Sequence, residues 1–259
     1  MADVPPVAVT VFTDPYCPWS WAAEPQQRRL EVEFGTALAY TFVIVGLRRR
    51  IEPADAGALA LDCLDAAAES GMPADPRVFL RDPPSSTHPA GLAVAAVADQ
   101  ADPSRYLRRL REAVLLEGRR MDAAPALLDA AREAGGLDVE RLKVDFGSNA
   151  IVERFGDWVE RGRGLRTPAW RFGDGPVVEG YGAYERVRAA ALAAGAEPAG
   201  DGALGVEDAL RRFGALATPE VAAVCDLPGP RAPAELWRLA LEWRVRPRRV
   251  PGGELWATG

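Results

Sequence analysis

The chain has 259 residues, 48% of them hydrophobic and 26% charged, and a formal net charge of −6. This is the profile of an ordinary globular protein with material for a large core, and its negative charge argues against general attraction to nucleic acid or anionic membranes. Three well-separated cysteines (17, 63 and 225) and a single histidine exclude a disulfide framework and any recognisable zinc site, so no metal is expected.

In chain order, the alternating run Val7 to Thr13 predicts a first strand. A helix is expected from Pro18 to Phe34-Gly35, kinked or split at Pro25, where a backbone donor is missing. The apolar run Leu38 to Val45 predicts a buried second strand parallel to the first, given a right-handed crossover. Gly46 to Gly164 reads as almost wholly helical, with helices over Ala54 to Ser70, Ala90 to Asp99, Asp122 to Ala134, Asp138 to Phe146 and Ser148 to Arg161. A further helix begins after Asp102-Pro103, which reads as a cap followed by a first-turn proline. Short strands at Ala169 to Phe172 and Val177 to Glu179 flank a Gly-Asp-Gly turn, a hairpin signal, and a helix over Tyr184 to Ala194 follows. Gly195 to Gly202 reads as a linker. Beyond it, helices are expected over Val206 to Phe213, Thr218 to Cys225 (capped by Thr218) and Ala232 to Trp243, then a hairpin about Pro251-Gly252-Gly253. No run of 18 or more apolar residues occurs, and the opening residues lack a basic stretch followed by an apolar core, so a cytoplasmic location is expected.

The chemistry-bearing stretch is Asp14-Pro15-Tyr16-Cys17-Pro18-Trp19-Ser20-Trp21, a turn from the first strand into the first helix. Cys17 would sit at the helix entrance, with Pro18 in the first turn. Unpaired backbone N–H groups and the positive end of the helix dipole are expected to lower its pKa and make it a nucleophile. Ser20, three residues on, would face Cys17 and donate to its thiolate. Asp14 reads as a turn residue bonding its own backbone, and His88 either as a solvent-facing cap residue or as a proton shuttle near Cys17. Tyr16, Trp19, Trp21 and Trp170 suit packing or a flat hydrophobic substrate.

Cys17-Pro18-Trp19-Ser20 after a first strand resembles the active-site turn of the DsbA-like branch of thioredoxin folds, with Ser20 where the usual form has a second cysteine. Thr167-Pro168 before a late strand is similar to the loop that holds a cis proline against the active cysteine in that family. The resemblance implies an α/β thioredoxin-like domain over 1–46 and 165–195, interrupted by a helical lid over 47–164; beyond it, and outside that resemblance, three helices and a hairpin over 203–259 read as a small helical or winged-helix-like module. The resemblance also implies a thiol-dependent oxidoreductase with Cys17 as nucleophile and Ser20 supporting it. Pro18, Trp19, Thr167, Pro168 and His88 would then line the substrate.

A lone thiol needs an external resolving thiol, so a low-molecular-weight thiol such as glutathione or mycothiol is the expected co-substrate, with no tightly bound cofactor. Cys63 or Cys225 would resolve Cys17 only by approaching within about 7 Å between α-carbons. Two alternatives stand beside this reading. One is an enzyme similar to kappa-class glutathione transferases and hydroxychromene carboxylate isomerases, acting on a small hydrophobic substrate. The other is a redox-responsive binding protein. The partners expected are a small thiol or disulfide and a second copy in a homodimer. Nucleic acid is not expected, because the third helix of the C-terminal module carries Glu235 and Glu242 where a DNA reader needs phosphate contacts.

Overall fold

The computed structural model describes residues 5–200 and 202–259; the first four residues of the expected thioredoxin-like segment and residue 201 of the expected linker lie outside them. The first sheet has the order β2-β1-β3-β4. Strands β1 (Val7–Thr13) and β2 (Leu38–Ile44) run parallel, with Val7 opposite Leu38 and Thr13 opposite Ile44. Strand β3 (Ala169–Phe172) is antiparallel to β1, and β4 (Val177–Glu179) is antiparallel to β3. Local composition explains the strands. Valine and aromatic residues suit a pleated, half-buried surface, and Val9, Val11, Phe12, Val43 and Ile44 are all buried.

Between β1 and β2 the chain makes two helices, α1 (Pro18–Ala22) and α2 (Glu24–Phe34). The break falls at Ala23, and Pro25 lies in the first turn of α2, where its missing N–H is harmless. Between β2 and β3 lie α3 (Pro53–Ser70), α4 (Arg77–Arg81), α5 (His88–Val97), α6 (Ser104–Leu115), α7 (Ala124–Ala134), α8 (Val139–Asp145) and α9 (Asn149–Arg161). Helix α5 is buried almost all round and forms the centre of this insertion. Gly91 on it abuts Phe155 of α9, and a Cβ there would lie 2.4 Å from the Phe155 ring. Helix α10 (Tyr184–Ala193) closes the first unit against β3 and β4.

The C-terminal segment runs α11 (Val206–Phe213), β5 (Leu216–Ala217), α12 (Thr218–Val224), α13 (Arg231–Leu241), β6 (Val245–Val250) and β7 (Gly253–Thr258). Its sheet has the order β5-β7-β6, and Leu216, Val221, Leu236 and Trp256 form a separate core. The short strand β5 was not expected from two residues. Nor does Thr218 cap α12. The N-cap is Ala217, whose backbone N–H donates to Glu220 Oε2 at 2.8 Å, while Thr218 Oγ1 accepts from Trp256 Nε1 at 2.9 Å.

A buried ion cluster fixes this segment to the rest. Arg108 of α6 donates from both terminal nitrogens to the Glu220 carboxylate of α12, at 2.8 and 2.9 Å, and Arg28 Nε of α2 reaches the same carboxylate at 3.0 Å. Glu24 of α2 is paired in turn with Arg28, Arg108 and Arg111. Glu220 is fully buried and Arg111 is 3% exposed, so desolvation makes these contacts binding only as a complete set. The expected linker is anchored too, with Ala199 N–H donating to Glu33 carbonyl at 2.7 Å.

Candidate functional site

The turn after β1 places Cys17 as N-cap of α1, with extended backbone (φ −81°, ψ 111°) and Pro18 at the first helical position. Its sulfur accepts the Ser20 backbone N–H at 3.3 Å and lies 3.1 Å from Thr167 Oγ1. The Thr167-Pro168 peptide is cis, and β3 begins immediately after it. The order of elements thus brings together residues 150 positions apart, as the turn and the late loop implied.

The electrostatics differ from expectation. Cys17 is 3% exposed, and burial pushes its thiol above the ordinary range; the Ser20 hydroxyl, the Thr167 hydroxyl and the Ser20 N–H oppose this without reversing it. Here removal from water is the larger effect, outweighing the donors at the helix entrance. Of the two Ser20 groups, the backbone N–H makes the hydrogen bond to the sulfur at 3.3 Å, while the buried hydroxyl favours the thiolate without meeting a hydrogen-bond partner of its own.

Asp14 is fully buried, accepting from Tyr16 N–H and Leu47 N–H at 2.9 Å each, so the expected turn contact is present together with a second one to the chain beyond β2. Burial raises its carboxyl to about 6, against the pull of these N–H groups and of Arg111.

Trp19 is half-buried at the rim and pairs with Tyr181, just beyond β4, at 5.9 Å between ring centroids. Tyr181 was not singled out in the sequence, which offers no periodic signal in that loop. Tyr16, Trp21 and Trp170 are core residues. Tyr16 donates no contact to the rim, its hydroxyl accepting from Met121 N–H at 2.8 Å, and Trp21 Nε1 donates to Pro73 carbonyl. Among the described residues no hydrogen bond joins His88 to Cys17. Its ring packs edge-on against Phe155 at 5.2 Å and against the backbone of Gly46, and burial lowers its pKa. Cys63 lies in the main core and Cys225 in the C-terminal core, and both are free thiols with pKa values pushed up, to about 12 and about 11. Among the described residues no cluster of side chains is suited to a metal ion, and no helix is long and apolar enough to cross a membrane.

Residues 10–158, which include the Cys17 turn, the second strand and most of the helical insertion, match the family model described as thioredoxin. The chain belongs to the thioredoxin family. Among curated relatives of this thioredoxin-family chain, a ClpXP adapter protein SpxH from Halalkalibacterium halodurans is 27% identical, over 97% of this chain and 88% of the relative. The protein of the same description from Bacillus subtilis is 24% identical over 97% and 89%. Among solved structures, the cytosolic disulfide reductase DsbM from Pseudomonas aeruginosa with GSH is 25% identical, with a TM-score of 0.54, over 71% of this chain and 92% of that one. Likeness to this solved structure therefore covers about seven-tenths of the chain, whereas likeness to the adapters extends over nearly the whole of it.

Proposed function

We propose that this thioredoxin-family chain is a protein adapter of the ClpXP type, in which the Cys17 rim is a docking surface for a protein partner. The observation that carries this reading is the end-to-end match to adapter proteins together with a lone thiol that is 3% exposed; burial raising its pKa points the same way. A nucleophile needs its thiolate populated near neutral pH, and a turn with Ser20 in place of a second cysteine cannot release a mixed disulfide by itself. The rim meanwhile offers paired aromatic surface, Trp19 with Tyr181, of the kind that anchors protein interfaces.

The test is binding of the full-length chain to purified ClpX, combined with proteome turnover in its host with and without the gene. The expected result is a saturable complex and at least one ClpXP substrate that persists when the gene is deleted, with Cys17→Ala restoring turnover. Absence of both overturns the reading.

A second reading is favoured by one contact, Thr167 Oγ1 at 3.1 Å from the sulfur beside the cis Pro168. In it the chain is a monothiol oxidoreductase that uses a low-molecular-weight thiol, as the GSH-bound DsbM neighbour suggests. Glutathione-dependent reduction of a mixed disulfide that is lost in Cys17→Ala would select it over the adapter.

A further inference from the structure

Helix α3 turns one face inward and leaves the other uncovered. Ala56, Leu59, Ala60, Cys63 and Ala66 are buried, and a period of 3.6 residues places them on one side. The outer side is not the wholly polar surface of a solvated helix. Leu61 and Leu64, 64% and 52% exposed, recur with exposed Ala68 at spacings of three and four residues and form an apolar stripe. At Gly57, one turn before Leu61, an added Cβ would meet nothing within 4 Å, so no other part of the described chain covers that end.

Beside the apolar stripe runs an acidic one. Asp62, Asp65 and Glu69 repeat the same spacing one residue further on, all three are exposed, and α3 holds no lysine or arginine. Asp55 pairs with Arg48, whereas Asp62, Asp65 and Glu69 have no cationic partner among the described residues. Like charges at three- and four-residue spacing repel one another along a helix, so an approaching cation is favoured there. Both stripes adjoin the Cys17 rim. Helix α3 packs against α1, and burial, then the charge of Glu69, raises the phenol pKa of Tyr181.

We propose that this outer face of α3 docks a basic amphipathic helix of a protein partner, its apolar residues on Leu61, Leu64 and Ala68 and its lysines or arginines beside Asp62, Asp65 and Glu69. A helix fits because the ridges of one helix pack into the grooves of another. An extended strand finds nothing to pair with, since the main-chain groups inside α3 already bond one another. The carboxylates oppose an anionic membrane, and an antiparallel second copy would set acidic stripe against acidic stripe. This face extends the docking rim of the adapter reading and rests on that reading for its occupant being a protein. Peptide binding needs neither ClpX nor turnover, so failure here and failure of the adapter reading are distinguishable.

The test is fluorescence anisotropy of a labelled peptide of about four helical turns, built of leucine and lysine with leucines at i, i+3, i+4 and i+7, titrated with the full chain. Saturable binding that weakens as salt rises is expected, with none for a leucine–glutamate peptide of the same pattern or for a serine–lysine peptide. Leu61→Gln with Leu64→Gln should weaken binding by about tenfold or more, as should Asp62→Asn with Asp65→Asn and Glu69→Gln. Both sets lie at exposed positions, so the fold is kept. No saturable binding overturns the proposal. Equal binding of either control peptide overturns the chemistry assigned to the occupant, and either set of variants binding within about twofold of the unaltered chain overturns the placement. A dimer in sedimentation, or binding to phosphatidylglycerol vesicles, that is lost in the leucine variant gives the face to a second copy or a membrane and overturns it as well.

Discussion

Cys17 Sγ and Thr167 Oγ1 lie 3.1 Å apart, joining the first turn of the chain to the loop before β3. The Thr167 hydroxyl is one of the groups that pull the thiol pKa down against burial, so its removal should raise the pKa further. Iodoacetamide labelling of Cys17, followed by peptide mass spectrometry against pH, should be slow at pH 7 and accelerate only above the ordinary thiol range. Thr167→Ala should shift that rise to higher pH. Fast labelling at neutral pH would contradict the sealed thiol.

Asp14 gives a pH dependence of definite sign. Its carboxyl is raised from 3.8 to about 6 in the folded chain, so the group contributes most to stability below pH 3.8, and that contribution is lost as pH rises through 6. The loss amounts to about 3 kcal/mol at 1.36 kcal/mol per pKa unit. Asp14→Asn does not titrate and leaves one of the two N–H groups without an acceptor, so it should be less stable throughout. Its deficit against the unaltered chain, measured by urea unfolding, should be larger at pH 4 than at pH 7 by up to about that amount.

Glu220 is the carboxylate on which Arg28 and Arg108 converge. Removing one member of a buried ion pair leaves an uncompensated charge and costs about 3–5 kcal/mol. Glu220→Ala should therefore destabilise the chain by that order in chemical denaturation. The unfolding curve should also separate into two steps as the C-terminal module loosens first.

Gly91 is required by contact rather than by conformation. A Cβ there would meet the Phe155 ring at 2.4 and 2.7 Å and Ile44 at 3.2 Å, and overpacking of this kind costs about 1–3 kcal/mol. Gly91→Ala should lower the thermal midpoint, and Gly91→Ala with Phe155→Leu should recover part of the loss.

Trp19 offers a test of docking without loss of fold. It is half-buried and packs on Tyr181 at the rim, so Trp19→Ala should leave the unfolding midpoint nearly unchanged. If the adapter reading holds, binding of the protein partner should weaken by about tenfold or more, since aromatic anchors commonly cost over 1 kcal/mol when truncated.

The strands and the site loop were legible because their signals are local. Alternation wrote β1, a continuous apolar run wrote β2, and Thr-Pro before an aromatic strand marked the partner loop of Cys17. What was hidden depends on distant neighbours. Arg108 and Arg111 look in sequence like solvated positions on an amphipathic helix, yet both are buried, because Glu24 and Glu220 arrive from α2 and α12 to meet them. The same is true of Cys17. A helix entrance argues for a low pKa, and only the packing of the surrounding chain reveals that water is excluded. His88 sits where its helix begins, as expected, but Phe155, 67 positions later, determines what its ring faces.

The convergence of Arg28 and Arg108 on Glu220 also constrains how such chains can diverge. A descendant that shed residues 203–259 would leave Arg28, Arg108 and Arg111 to share Glu24 and Glu112 without the Glu220 carboxylate, so loss of the module and replacement of one of these arginines should occur together. In homologous sequences, basic residues at all three positions become a marker that a tail of this type is attached.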